Sequence, residues 1–143
     1  MDNTFITTDD YTSVCTEREL SYLNDNTQQR QQTERVAMET VAGYLRSRYD
    51  ITAAYTRRDD DRNPQLVQAV INVTLWLMTH RLPANMGHER RECLYNDTIS
   101  WLKDVQAGKA TPDLPTYTDP STGATDANNP MRYGSMPPSR YDY

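Results

Sequence analysis

Asn63-Pro64-Gln65-Leu66-Val67-Gln68-Ala69-Val70-Ile71-Asn72-Val73-Thr74-Leu75-Trp76-Leu77-Met78 is the most apolar stretch of the chain, and its reading decides the fold. Asn63 is a helix-capping residue. Pro64 occupies the first helical position, where its missing N–H costs nothing. Leu66, Val70, Val73 and Leu77 recur at helical spacing, and Ala69, Ile71 and Trp76 widen the face they mark. The segment reads as the central helix of the molecule, ended by Leu82-Pro83.

Two further helices flank it. Thr27 to Tyr49 carries Val36, Ala37, Val41, Tyr44, Leu45 and Tyr49 at a period near 3.6, and its opening Gln28–Gln32 run lacks an apolar stripe and reads as projecting into solvent or a partner. Gly43 inside it serves either a close helix approach or nothing beyond tolerance, at a cost of about 1 kcal/mol against alanine. His88 to Ala107 carries Leu94, Thr98, Trp101 and Val105 on one face, flanked by Tyr95 and Leu102. Gly108 follows where a left-handed helix-ending residue is expected. Trp76 and Trp101 read as core packing.

Upstream, Phe5-Ile6 is an apolar anchor, and Thr7-Thr8-Asp9-Asp10 reads as a helix start with acids at the positive end of the dipole. Thr16-Glu17-Arg18-Glu19 has capping-box spacing before Leu20 and Leu23. One or two short helices over residues 8–24 follow from this. Residues 50–63 read as a connection dominated by Arg57-Arg58-Asp59-Asp60-Asp61-Arg62. Strand signals are weak throughout. The fold expected is all-α: a small bundle of three longer helices plus short N-terminal helices over residues 1–108.

Residues 109–143 differ in chemistry. They hold six of the eight prolines and four of the ten tyrosines, and Leu114 is their only Leu, Ile or Val. Such a segment buries too little apolar area to offset the entropy of ordering it alone. Tyr117, Met131, Arg132, Tyr133, Met136, Arg140, Tyr141 and Tyr143 form an aromatic, methionine and arginine mixture of the kind enriched at protein interfaces. The segment reads as an extended C-terminal docking arm, a floppy linker being the plainer alternative.

The net charge is −5, of which −4 falls on residues 1–108 (12 basic, 16 acidic) and −1 on the arm (3 basic, 4 acidic). An acidic body argues against gripping nucleic-acid phosphates. Cys15 and Cys93 are far apart and read as free thiols. No apolar run approaches the roughly 18 residues of a membrane span. His80, His88, Cys15 and Cys93 lack zinc spacing, and Asp59–Asp61 lacks the alternating ligands of a calcium loop, so no metal and no cofactor is expected. Asp59, Asp60 and Asp61 read first as a solvated loop, with a role in lining a channel or interface as the functional alternative. No nucleophile–base–orienter set or phosphate loop is legible, so the expectation is a protein without enzymatic activity.

The order Gly43-Tyr44-Leu45-Arg46-Ser47-Arg48-Tyr49, then Asn63-Pro64-Gln65-Leu66, then Trp101-Leu102-Lys103-Asp104-Val105-Gln106-Ala107-Gly108 resembles the small helical head–tail connector proteins of tailed phages, also called adaptor or head-completion proteins. Phe5-Ile6-Thr7-Thr8-Asp9-Asp10-Tyr11 resembles the start of that family. The likeness covers about residues 4–115 and rests on helix-packing and helix-ending residues.

The resemblance implies a structural protein of the virion neck, made in the host cytoplasm. Its copies would form a ring, commonly a dodecamer, below the portal protein. The ring would extend the channel through which double-stranded DNA passes and offer a docking surface for neck or tail proteins. The competing expectation is a cellular helical adaptor or regulator that uses its C-terminal tail as a peptide ligand. It predicts a monomer or dimer with partners outside any virion.

Overall fold

The computed structural model describes residues 5–16, 18, 19, 21, 27–79 and 88–117. Among the described residues the regular structure is helical and no strand occurs. Three long helices, α1 (Thr27–Leu45), α3 (Pro64–Met78) and α4 (His88–Ala107), make the body. A short helix α2 (Ile51–Thr56) and a 3-10 turn at Asp59–Asp61 lie between α1 and α3, and a second 3-10 turn at Thr8–Ser13 precedes α1. The three long helices pack on one another, and the turn at Thr8–Ser13 lies against α3.

The start of α3 follows its sequence signals. Asn63 Oδ1 accepts the Leu66 N–H at 3.0 Å, with Pro64 in the first turn. Leu66, Val70, Ile71, Val73 and Leu75 are each at most 1% exposed, so α3 is buried around most of its circumference. It ends at Met78, ahead of Leu82-Pro83. In its last turn Met78 and Thr79 take the core side, which leaves Leu77, expected on the buried face, 38% exposed.

The buried stripe of α1 is Arg30, Glu34, Ala37, Val41 and Leu45, with Ala42 beside it. Val36 falls off that stripe and is 55% exposed, and the polar opening of the helix is therefore not all solvent-facing. Arg30 sits inside it, its Nε 3.2 Å from Glu34 Oε1. The Tyr11 hydroxyl donates to the same carboxylate at 2.8 Å. Arg30 Nη1 donates to Thr8 Oγ1 at 3.3 Å. These bonds clamp the N-terminal turn to α1. Gly43 leaves open space where a Cβ would stand, so close helix approach is not its role.

Residues 50–63 hold more structure than a connection. Asp50 caps α2 by accepting the Ala53 N–H at 3.2 Å, and Ile51 and Ala54 enter the core. Arg62 closes the segment onto the N-terminus. Its Nη1 and Nη2 donate to the two carboxylate oxygens of Asp10 at 2.6 and 2.9 Å, and Nη1 also donates to the Phe5 carbonyl at 2.8 Å. Phe5 and Ile6 are 2% and 1% exposed, as an apolar anchor requires.

Candidate functional site

Three surfaces of the body could meet a partner, and they converge on the start of α3.

The first is the root of the C-terminal arm. Gly108 ends α4 at φ +84°, the left-handed conformation open to glycine. A Cβ there would stand 2.8 Å from Arg48 Nη2. Residues 109–117 then run back across the body instead of leaving it. Asn63 Nδ2 donates to the Asp113 carbonyl at 3.0 Å, so the chain passes the start of α3. Leu114 is 8% exposed and joins the core. The Asp50 N–H donates to the Pro115 carbonyl at 2.8 Å. The Tyr117 hydroxyl donates to the Arg46 carbonyl just past the end of α1. Of the arm residues singled out from sequence, Tyr117 alone is placed; Met131, Arg132, Tyr133, Met136, Arg140, Tyr141 and Tyr143 lie outside the described residues.

The second surface is acidic. Asp59, Asp60 and Asp61 are exposed, and Asp59 adopts φ +53°. Asp59 and Asp60 join Asp9, Asp10 and Arg62 around a shallow depression of about 340 Å³. Burial works against the Asp10 charge. The Arg62 bond and the Thr7 N–H, 2.7 Å from Oδ2, outweigh it and hold the carboxyl below its ordinary value. Arg62 Nε also donates to the Asp59 carbonyl at 2.8 Å, which fixes the loop to the N-terminal turn. Among the described residues no group of three or more His, Cys, Asp or Glu side chains could hold a metal ion, and no helix is long and apolar enough to cross a membrane.

The third surface is a groove of about 300 Å³ between α3 and α4. Ala69 lies in it at 3% exposure, Leu94 and Trp101 wall it as half-buried side chains, and Gln65, Asn72 and Asp97 are among its polar residues. Asn72 Nδ2 donates to Thr98 Oγ1 at 3.0 Å, while Asn72 Oδ1 is buried and has no hydrogen-bond partner among the described residues. Farther along α3, Trp76 stacks on Tyr95 at 5.4 Å and meets His88 edge-on at 5.6 Å. Both tryptophans are partly buried: Trp101 packs against the core, as the sequence led one to expect, and Trp76 packs on Tyr95 and His88.

A buried ion pair secures the helix that carries this groove. Arg91 is 1% exposed, its Nη2 donating to Glu19 Oε1 at 2.9 Å and to the Val14 carbonyl at 3.0 Å. Glu19 also accepts the Thr16 N–H at 3.0 Å and the Glu19 N–H reaches Thr16 Oγ1 at 3.3 Å, the reciprocal pattern expected from the Thr16–Glu19 spacing. Burial opposes ionisation of Glu19, but the Thr16 N–H and the Arg91 bond hold its carboxyl below the ordinary value. Sequence reading missed Arg91, because no spacing marks an arginine as buried. Cys15, 3.9 Å from Arg91 Nη2, and Cys93 are both free thiols.

A family model described as bacteriophage Mu, Gp36 matches residues 5–129, which takes in the N-terminal turn, helices α1 to α4 and the root of the arm. No curated protein matches the chain, and no solved structure does. With most of its length covered by one match, this chain belongs to the bacteriophage Mu Gp36 family.

Proposed function

We propose that the protein is a structural subunit of the virion neck, a head–tail connector that forms a ring below the portal and extends the DNA channel toward the tail. The observation that carries the reading is membership of a phage family over residues 5–129. The likeness of the sequence to connector proteins supplies the finer role. The role requires no reaction, no cofactor and no metal.

A ring needs each subunit to present two different complementary faces, joined by a rotation that closes. The body offers two regions of different chemistry that adjoin at Pro64 and Gln68, an acidic one at Asp59–Asp61 and an apolar one between α3 and α4. Passing DNA is best met by a surface that does not hold phosphate, and Asp59, Asp60 and Asp61 suit that task by like-charge repulsion. The arm, with Tyr117 at its root and Met131, Arg132, Tyr133, Met136, Arg140, Tyr141 and Tyr143 beyond, supplies the contact to portal, neighbour or tail proteins.

The test is the native mass of the particle that contains this chain, with neighbours identified by crosslinking. A closed ring of about a dozen copies, crosslinked to a portal-like protein, is the expected result. A monomer crosslinked only to host proteins would sink the reading in favour of a cellular adaptor.

A further inference from the structure

We propose that the groove between α3 and α4 receives the outer part of the C-terminal arm, residues 118–143, of a neighbouring copy of this chain. The neighbour's presence rests on the connector reading; the groove and the arm do not.

The groove has the chemistry of a site for an extended, proline-rich peptide. Such peptides dock in grooves walled by aromatic side chains, and having no internal backbone hydrogen bonds they take polar contacts from the groove. Trp101 and Leu94 provide the apolar walls, and Ala69, the smallest lining side chain, gives room between them. Gln65 is exposed and carries an amide that can donate and accept along a bound backbone, and Asn72 lines the groove with its Nδ2 held by Thr98. Asp97 is exposed on α4 and offers a carboxylate to an arginine.

The arm has the complementary set. Pro130-Met131-Arg132-Tyr133 and Pro137-Pro138-Ser139-Arg140-Tyr141 each place an aromatic ring and an arginine beside proline. Tyrosine and methionine gain apolar contact on a tryptophan wall, and Arg132 or Arg140 can pair with Asp97.

The course of residues 109–117 favours a second copy over the same chain. The backbone passes the Pro64 end of the groove at Asp113, held by Asn63, and continues to Arg46 at Tyr117. It has already gone by the groove when the arm begins, and filling its own site would require doubling back. From Tyr117 to Met131 an extended chain spans about 45 Å, enough to reach a subunit alongside. An arm passed to the next copy is also a head-to-tail contact, the type that closes a ring.

Disulfide trapping between two differently tagged full-length chains tests this. One carries Gln65→Cys at the groove rim and the other Ser139→Cys in the arm, both with the exposed Cys93 changed to Ser. The expected result is a disulfide joining the two tags. Adding Leu94→Asp or Trp101→Ala to the groove chain should cut the yield by about tenfold or more, with helical content checked by circular dichroism. Trapping no greater than from a control Gln32→Cys on α1 would overturn the proposal. So would a disulfide that forms only within a single chain bearing both cysteines. Particle mass measured on the same samples separates the two ideas. Trapping without a ring leaves the groove assignment standing and removes the connector, whereas a ring without trapping does the reverse.

Discussion

Replacing Arg62 with alanine is expected to destabilise the fold by about 3 kcal/mol. Arg62 makes two bonds to Asp10, one to the Phe5 carbonyl and one to the Asp59 carbonyl, at 2.6 to 2.9 Å. The two paired side chains are 12% and 14% exposed. Truncation leaves Asp10 largely out of water, with the Thr7 N–H still bound to it. Breaking a buried pair costs about 3–5 kcal/mol, and the residual exposure here lets water recover part of the loss, which selects the lower end. For a body of this size that corresponds to a melting temperature lower by roughly 10–15 °C. Urea unfolding followed by circular dichroism reads the effect as a lower midpoint at unchanged slope.

The pH dependence has a definite sign. The folded-state pKa of Asp10 is lowered from 3.8, so the fold favours the charged form. The contribution is therefore complete above the unfolded value and is lost as pH falls through the folded one. The gap between wild type and Arg62→Ala should be full at pH 6 and shrink below about pH 4. An Arg62→Ala chain within about 0.5 kcal/mol of wild type would refute the reasoning. Additivity of Arg62→Ala with Asp10→Asn to within about 0.5 kcal/mol would refute it equally, because coupled partners must deviate.

The two described glycines should respond to alanine in opposite directions: Gly43→Ala raises stability by about 0.5–1 kcal/mol, since open space awaits the methyl group, while Gly108→Ala lowers it by about 1–2 kcal/mol through its positive φ and the contact with Arg48; thermal melts decide both. Leu114→Ala should cost about 2–3 kcal/mol in denaturant titration, as for a core leucine, although it lies beyond the last helix. Cys93, exposed on α4, should react with a thiol reagent at pH 8 well before Cys15, whose thiol is pushed up to about 11 by burial, and mass spectrometry of the singly labelled chain checks the order.

The sequence was most informative where local chemistry and burial agree. Asn63-Pro64 and Gly108 mark the start of α3 and the end of α4 because capping and left-handed termination are decided by the residues themselves. The Val36 and Leu77 readings failed for the converse reason: apolar spacing says that a face exists, and only the packing partners say how far along the helix it is covered. The Gln28–Gln32 run was read as facing solvent or a partner, and Glu34 and Arg91 drew no reading, because one chain in order shows no sign that Thr8, Tyr11 and Glu19 will reach Arg30, Glu34 and Arg91. The groove is illegible for the same reason, being a property of two helices whose facing residues, such as Asn72 and Thr98, stand 26 positions apart. The short helix α2 was hidden by its size, six residues without a sustained period. The acidic loop kept its sequence reading as an exposed segment, though its bond to Arg62 was not foreseeable.

The backward course of residues 109–117 has a mechanical meaning. Any load on the arm arrives first at the Tyr117 hydroxyl bond to Arg46, then at the Pro115 carbonyl bond to Asp50, then at Leu114 and the Asn63 bond to Asp113. These holds are arranged one behind another, so tension peels them singly and pulls on α4 only after the last has gone. Nine residues of chain are thereby held against the surface, and a chain pulled from beyond Tyr117 can lengthen by at most about 30 Å before its helices feel the strain.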